Sequence, residues 1–402
     1  MEQSAGDAQV STRDFGAFVP HGICRHEATG RGVLDGRTFA VKDLIDVAGT
    51  RTGAGNPDWL ARQAPAARSA PVVEKALAAG ASLVGKTVTD ELGFSLEGRN
   101  VHYPGLMNPI CPDRLPGGSS GGSAVAVAAG QVDFALGTDT GGSVRVPANF
   151  LGVFGFRPSH GALPLEGVVP FAPSYDTVGW FARDAELLAD VGVALLPRRT
   201  TAPITKLLLA GDAFAIADRP LAQELETRIA RWSVGGSTTV FGGEEASCFE
   251  CYRILQGAEI WQSLGAWIAR RRSRFAGDIA ERFASAALIT PAEVANFRPI
   301  RDAMRRRFEM LVPPDTALVM PTAPCVAPVR HAPAAVIGDF YQRALTLTSI
   351  AGHAGAPEVA FPLGLWRGCP VGVSILAARG SDGSLLDLTT KLVTSAAGTA
   401  SK

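Results

Sequence analysis

Several features that would mark a special class of protein are scarce or missing in this 402-residue chain. Six cysteines, at positions 24, 111, 248, 251, 325 and 369, form no disulfide framework, which points to a reducing compartment. Charge of one sign is missing too: Lys plus Arg is 38 and Asp plus Glu is 38, so no global field attracts nucleic acid or an anionic membrane. The N-terminus carries Glu2 and Asp7 and no basic stretch followed by an apolar one, and no run of 18 apolar residues occurs anywhere. The reading is a soluble, cytoplasmic protein without a nucleic-acid or membrane partner. At 47% hydrophobic and 19% charged, the chain is too apolar to be disordered and long enough to bury a large core.

What is present has an α/β rhythm. FAVKD (39–43) reads as a strand entering a loop, residues 71–87 as a helix, a Gly stop and a buried strand, and VDFALGTDT as another short strand. Asp184 is placed to cap a helix through ELLADVGVALL, and KLLLAG (206–211) reads as a strand. From about 211 to 311 the pattern turns mostly helical, then ALVMPTAP, PEVAFPLG and CPVGVSILAA return to strands before a last helix at SLLDLTTKLV. With strands at both ends and neither repeat nor linker, the expected fold is one large α/β domain over residues 1–402. Its central mixed β-sheet is covered by helices on both faces.

Two glycine-serine loops stand out, GGSSGGS at 117–123 and GTDTGGSVRVP at 137–147. Glycine lets consecutive amides point into one concavity, so Thr140, Gly141, Gly142 and Ser143 are placed to face a developing alkoxide with the Ser143 hydroxyl beside it. A serine needs a base. None of the six histidines (21, 26, 102, 160, 331, 353) lies in a recognisable triad motif, although a partner brought near by folding leaves no trace in spacing. Lys42 ends an apolar strand, where burial favours the neutral amine, and Asp43 should point to the opposite face, so a Lys–Ser–Ser relay follows. Taken singly, a Gly-Ser loop is only a turn and a strand-end lysine is only exposed; the combination carries the reading. Gly117, Ser119 and Gly121 also fit the G-x-S-x-G elbow, but Pro109, Pro112 and Pro116 occupy the place of its strand.

The span from FAVKD through GGSSGGSAVAVAAG to GTDTGGSVRVPANFLGVFGFRPSHG resembles the amidase signature family, serine hydrolases with a Ser-cisSer-Lys triad. The resemblance implies Lys42 as the base, Ser119 as the bridging serine with a cis peptide bond, and Ser143 as the nucleophile. It implies an oxyanion hole from the amides of Thr140, Gly141, Gly142 and Ser143, and Ser120, Asp139 and Arg145 as supporting residues. DFGAF (14–18), GNPDWL (55–60) and YDTVGWFARD (175–184) are similar to the indole-3-acetamide hydrolase type of plant amidase. The signature core would run from about 37 to 200, whereas residues 211–311 match weakly and leave the substrate open. The implied activity is hydrolysis of a small carboxamide to acid and ammonia through an acyl-enzyme, with no metal or organic cofactor. Urea-like, carbamate and N-substituted amide substrates, or an ammonia-producing subunit of a transamidating complex, are the alternatives. The sequence does not write an oligomeric state; a homodimer is the assembly allowed for.

Other features read as structural. Cys248-x-x-Cys251 lacks the second pair of a zinc site, and the arginines at 270–272, 274 and 305–307 read as a solvated helix face. Trp59, Trp180, Trp261 and Trp267 are as much core as pocket wall.

Overall fold

A computed structural model of the chain describes residues 15–197, 202–271 and 275–398. Asp14 of the DFGAF segment, the acidic N-terminus, Arg272 and Arg274 lie outside the described residues. Ten strands form one sheet: β1 (Thr38–Lys42), β2 (Ser82–Thr87), β3 (Phe134–Asp139), β4 (Phe154–Arg157), β5 (Thr177–Ala182), β6 (Lys206–Ala210), β7 (Val234–Thr238), β8 (Thr316–Pro321), β9 (Glu358–Trp366) and β10 (Cys369–Ala377). Their spatial order is β2-β1-β3-β5-β4-β9-β10-β8-β6-β7. The flanks are parallel (β2/β1/β3 and β8/β6/β7) and the centre from β3 to β8 is antiparallel, so the sheet is mixed as expected.

The helices are α1 (Pro57–Leu60), α2 (Pro71–Ala78), α3 (Gly121–Ala128), α4 (Arg145–Leu151), α5 (Ala185–Leu195), α6 (Gly211–Ile216), α7 (Arg219–Ile229), α8 (Glu245–Arg271), α9 (Gly277–Ala287), α10 (Pro291–Leu311), α11 (Ala334–Ala354) and α12 (Asp382–Gly398). Asp184 caps α5 through its carboxylate, which accepts the Leu187 amide at 2.7 Å. The mainly helical stretch after 211 also contains β7, an edge strand the helical pattern concealed: its two glycines and exposed residues give no apolar alternation.

Strand side chains alternate between two cores. Phe39 and Val41 of β1, with Phe134 and Leu136 of β3, pack with α2, α5 and α12, whereas Ala40 and Ala135 pack with α3 and α4 on the other face. Both faces are buried, which is why these strands read as continuous apolar runs. A third core joins α8, α9 and α11 to Leu92, Phe94 and Leu96 of the segment following β2. The site lies where these layers meet, at the ends of β1 and β3.

Candidate active site

Lys42 ends β1 fully buried, on the side chain parity of Ala40. Its Nζ donates to Ser119 Oγ at 2.7 Å and to Thr138 Oγ1 at 2.8 Å, and it makes no ion pair among the described residues. Asp43, one residue on, turns to the opposite side: its Oδ1 lies 2.8 Å from Lys86 Nζ and its Oδ2 2.8 Å from His21 Nε2. Burial pushes the Lys42 ammonium down to about 7, against the opposing pull of Asp90, Asp139 and Asp176. A strand-end lysine that would ordinarily be charged is thereby placed where the neutral amine is populated near neutrality.

Ser119 sits in the loop before α3, and the Gly118–Ser119 peptide bond is cis. Ser120 ties this loop to the next strand and the next turn. Its hydroxyl donates to the Thr138 carbonyl at 3.1 Å, and its amide donates to the Ser143 carbonyl at 3.1 Å. The two serine loops are thus joined through backbone. Among the described residues the hydroxyls of Ser119 and Ser143 are not hydrogen-bonded to one another, and no histidine bonds to either.

Asp139, at the end of β3, organises the Ser143 turn. Its carboxylate accepts the amides of Gly142 (2.9 Å), Val144 (3.0 Å) and Arg145 (3.3 Å), together with Arg145 Nε (3.0 Å) and Nη2 (2.7 Å). Burial alone raises its carboxyl, but the guanidiniums of Arg145 and Arg157 and these donors hold it well below the usual carboxylate range. Arg145 continues to the Thr348 carbonyl (2.8 Å) and to Glu358 Oε2 (2.5 Å). Two arginines and two carboxylates, all buried, therefore brace one turn.

That bracing corrects one expectation. Gly142 needs its glycine, since its φ of 112° lies in the left-handed region, but its amide is spent on Asp139 rather than aimed at a ligand. The amides of Thr140, Gly141 and Ser143 have no hydrogen-bond partner among the described residues. These three are the donors left for an oxyanion. The Thr140 hydroxyl is held by Asp176 Oδ1 at 2.6 Å, and Thr348 of α11 donates to the Gly141 carbonyl at 2.8 Å.

A cavity of about 610 Å³ opens beside these loops, lined among others by Phe94, Phe249, Gly338, Tyr341 and Leu345. Leu345 packs toward Gly141, and Gly93, next to Phe94, faces the Ser119 hydroxyl. The Arg282 guanidinium lies 4.1 Å from the centre of the Tyr341 ring and is satisfied by the Phe94 carbonyl and Glu97. Sequence reasoning missed Thr138, Asp90, Arg157, Asp176, Glu358 and the whole of α11. Thr138, Arg157, Asp176 and Glu358 all lie inside segments quoted above, but nothing in those patterns singles them out.

The remaining candidates fall to packing. Trp180 is fully buried against Phe156 and donates to the Leu188 carbonyl, while Trp59 and Trp267 pack edge-on at 5.1 Å. Cys248 and Cys251 are buried thiols, both pushed up to about 12 by burial, and no group of three or more possible metal ligands occurs among the described residues.

A buried lysine bonded to a serine, beside a second serine turn with free amides, defines a site suited to serine hydrolase chemistry. The sequence model described as Amidase matches residues 24–234. A protein named Amidase 1 from Arabidopsis thaliana is 40% identical over 95% of this chain and 99% of its own. A solved structure described as an amidase superposes with a TM-score of 0.80 at 28% identity, over 91% of this chain and 86% of that one. The chain belongs to the amidase family and is an enzyme of the amidase class.

A further relative corrects the cytoplasmic assignment. The Arabidopsis protein named Outer envelope protein 64, chloroplastic, is 37% identical over 88% of this chain and 65% of its own length. The composition of residues 1–18 and the absence of a run of 18 apolar residues therefore do not assign a compartment to a chain of this kind. Among the described residues no helix is long and apolar enough to cross a membrane.

Proposed function

We propose that the protein hydrolyses a small carboxamide to a carboxylic acid and ammonia through an acyl-enzyme on Ser143, with arylacetamides such as indole-3-acetamide as the substrate class. The observation that carries this reading is the buried Lys42 amine, 2.7 Å from Ser119 and brought by burial to about 7. In the proposed cycle neutral Lys42 takes the Ser119 proton as Ser119 takes that of Ser143, whose Oγ attacks the carbonyl carbon. The oxyanion is met by the amides of Thr140, Gly141 and Ser143. Collapse breaks the C–N bond while the relay returns its proton to the departing nitrogen, which leaves as ammonia. Water, deprotonated by the same relay, then cleaves the ester and restores Ser143.

The Ser120–Ser143 backbone bond holds the two loops side by side, and the relay needs a Ser119–Ser143 hydrogen bond. Such bonds often close only when substrate is bound. The lining of the 610 Å³ cavity joins Phe94, Phe249, Ile337, Tyr341 and Leu345, a face that suits an aryl group, to charged residues such as Glu97, Arg253 and Arg282, and its size is within the usual range for small-molecule pockets. Release of ammonia, or of the amine from the N-substituted amide, is measured with indole-3-acetamide, an aliphatic amide, a urea, a carbamate and an N-substituted amide. Preference for the primary arylacetamide is expected; preference for the urea or carbamate overturns the substrate class while leaving the relay in place.

A further inference from the structure

Asp90 is a fully buried carboxylate that the relay does not use. It follows β2 and faces the Ser119 loop in two ways. Its amide donates to the Ser119 carbonyl at 3.1 Å, and its Oδ2, which accepts the Gly98 amide at 3.0 Å, occupies with that amide the space a Cβ on Gly118 would need. One residue thus contacts the backbone on both sides of the Gly118–Ser119 peptide, at Gly118 before it and at the Ser119 carbonyl after it. The same carboxylate lies within electrostatic reach of Lys42.

We propose that Asp90 is a positioning residue for the Lys42–Ser119 pair, fixing the Ser119 backbone through its amide and the Gly118 approach through its buried carboxylate, an anion that favours the charged form of the Lys42 amine. The inference rests on the amide-hydrolase reading only in the meaning given to Lys42 protonation. The other charged groups facing Lys42 are Asp139 at the end of β3 and Asp176 before β5. Asp139 is committed to Arg145 and Arg157, and Asp176 to Thr140. Asp43 of the adjoining turn is committed to Lys86 and His21. Glu97 faces Asp90 but is paired with Arg99 and Arg282. Neither Asp90 nor Asp176 carries an ion pair among the described residues, but the Asp176 carboxylate accepts the Thr140 hydroxyl and the Phe171 and Ala172 amides, whereas that of Asp90 accepts the Gly98 amide. Burial, foremost, raises the Asp90 carboxyl to about 6, so it is ionised in the range where Lys42 loses its proton.

An anion near an ammonium favours the charged form, so Asp90→Asn should make the Lys42 proton easier to lose. The acid limb of kcat/KM is expected to move to lower pH by about one unit, with a fall in its plateau from the loosened Ser119 loop. The chain has six lysines, so the Lys42 ε-carbon is followed directly by NMR in lysine-labelled protein, assigned with Lys42→Met. This titration should shift down in Asp90→Asn with or without turnover, which separates a failure of this proposal from a failure of the hydrolase reading. Should Asp90→Asn not fold, the reciprocal measurement serves: in Lys42→Met the Asp90 carboxyl should titrate higher than in the wild type. A folded Asp90→Asn with an unmoved Lys42 titration and an acid limb changed only in amplitude overturns the proposal, as does an Asp90 titration indifferent to Lys42→Met.

Discussion

Lys42 and Ser119, separated by 77 residues in sequence, meet through a 2.7 Å hydrogen bond that is buried at both ends. The bond joins the end of the first strand to the loop that opens α3, and Thr138 holds the same amine from the neighbouring strand. An ammonium buried this way is disfavoured, and that cost is what leaves an amine able to accept a proton.

The pH dependence follows from the sign. Burial lowers the Lys42 amine to about 7, and only its neutral form accepts the Ser119 proton. Activity should therefore fall as pH drops through about 7, and a rate that stays flat down to about pH 5 would contradict Lys42 as base.

Members of one relay should fail together. Ser119→Ala and Lys42→Ala are each expected to lower kcat by orders of magnitude, and the double variant to lose little more than either alone. Multiplicative losses in the double variant would mean that the two residues act separately.

The cavity offers a test of specificity without damage to the relay. Gly338, Tyr341 and Leu345 line one face of α11, and a Cβ at Gly338 meets only open space. Gly338→Phe should raise KM for an arylacetamide far more than for acetamide. It should leave the melting temperature equal or higher, because glycine is a poor helix former. Equal effects on both amides would place the aryl group elsewhere.

The brace under the Ser143 turn should appear in stability. Arg145→Met leaves Asp139 and Glu358 buried with a partner removed, for an expected loss of about 3–5 kcal/mol in chemical denaturation. The Asp139 carboxyl is held low in the folded state, so its contribution is present above the ordinary carboxylate range of about 4 and lost as pH falls below it. A denaturation midpoint unchanged by Arg145→Met would remove the brace from the explanation of this turn.

Lys42, Ser119 and Ser143 are legible in sequence because their loops are local patterns of glycine, serine and one strand end. Their neighbours are not. Asp90 comes from a segment with no pattern of its own, Asp176 and Glu358 from patterns that mark neither, and only the fold brings the first to the Ser119 loop and the other two to the Ser143 turn. Helix α11 escapes detection because every residue from Ala344 to Ala354 is buried, so no polar face remains to give a helical stripe. The commitment of the Gly142 amide to Asp139 is likewise invisible in a motif that lists both residues, since it depends on the direction of one N–H.

The most direct test is the covalent intermediate. Purified protein is mixed with an activated arylacetyl ester or anilide, quenched in acid, and the peptide bearing Ser143 is weighed by mass spectrometry beside Ser143→Ala. An arylacetyl adduct on Ser143, absent from the folded variant together with its turnover, is the expected result. Turnover that survives in Ser143→Ala, or an adduct carried by another residue, contradicts the assignment of Ser143 as nucleophile.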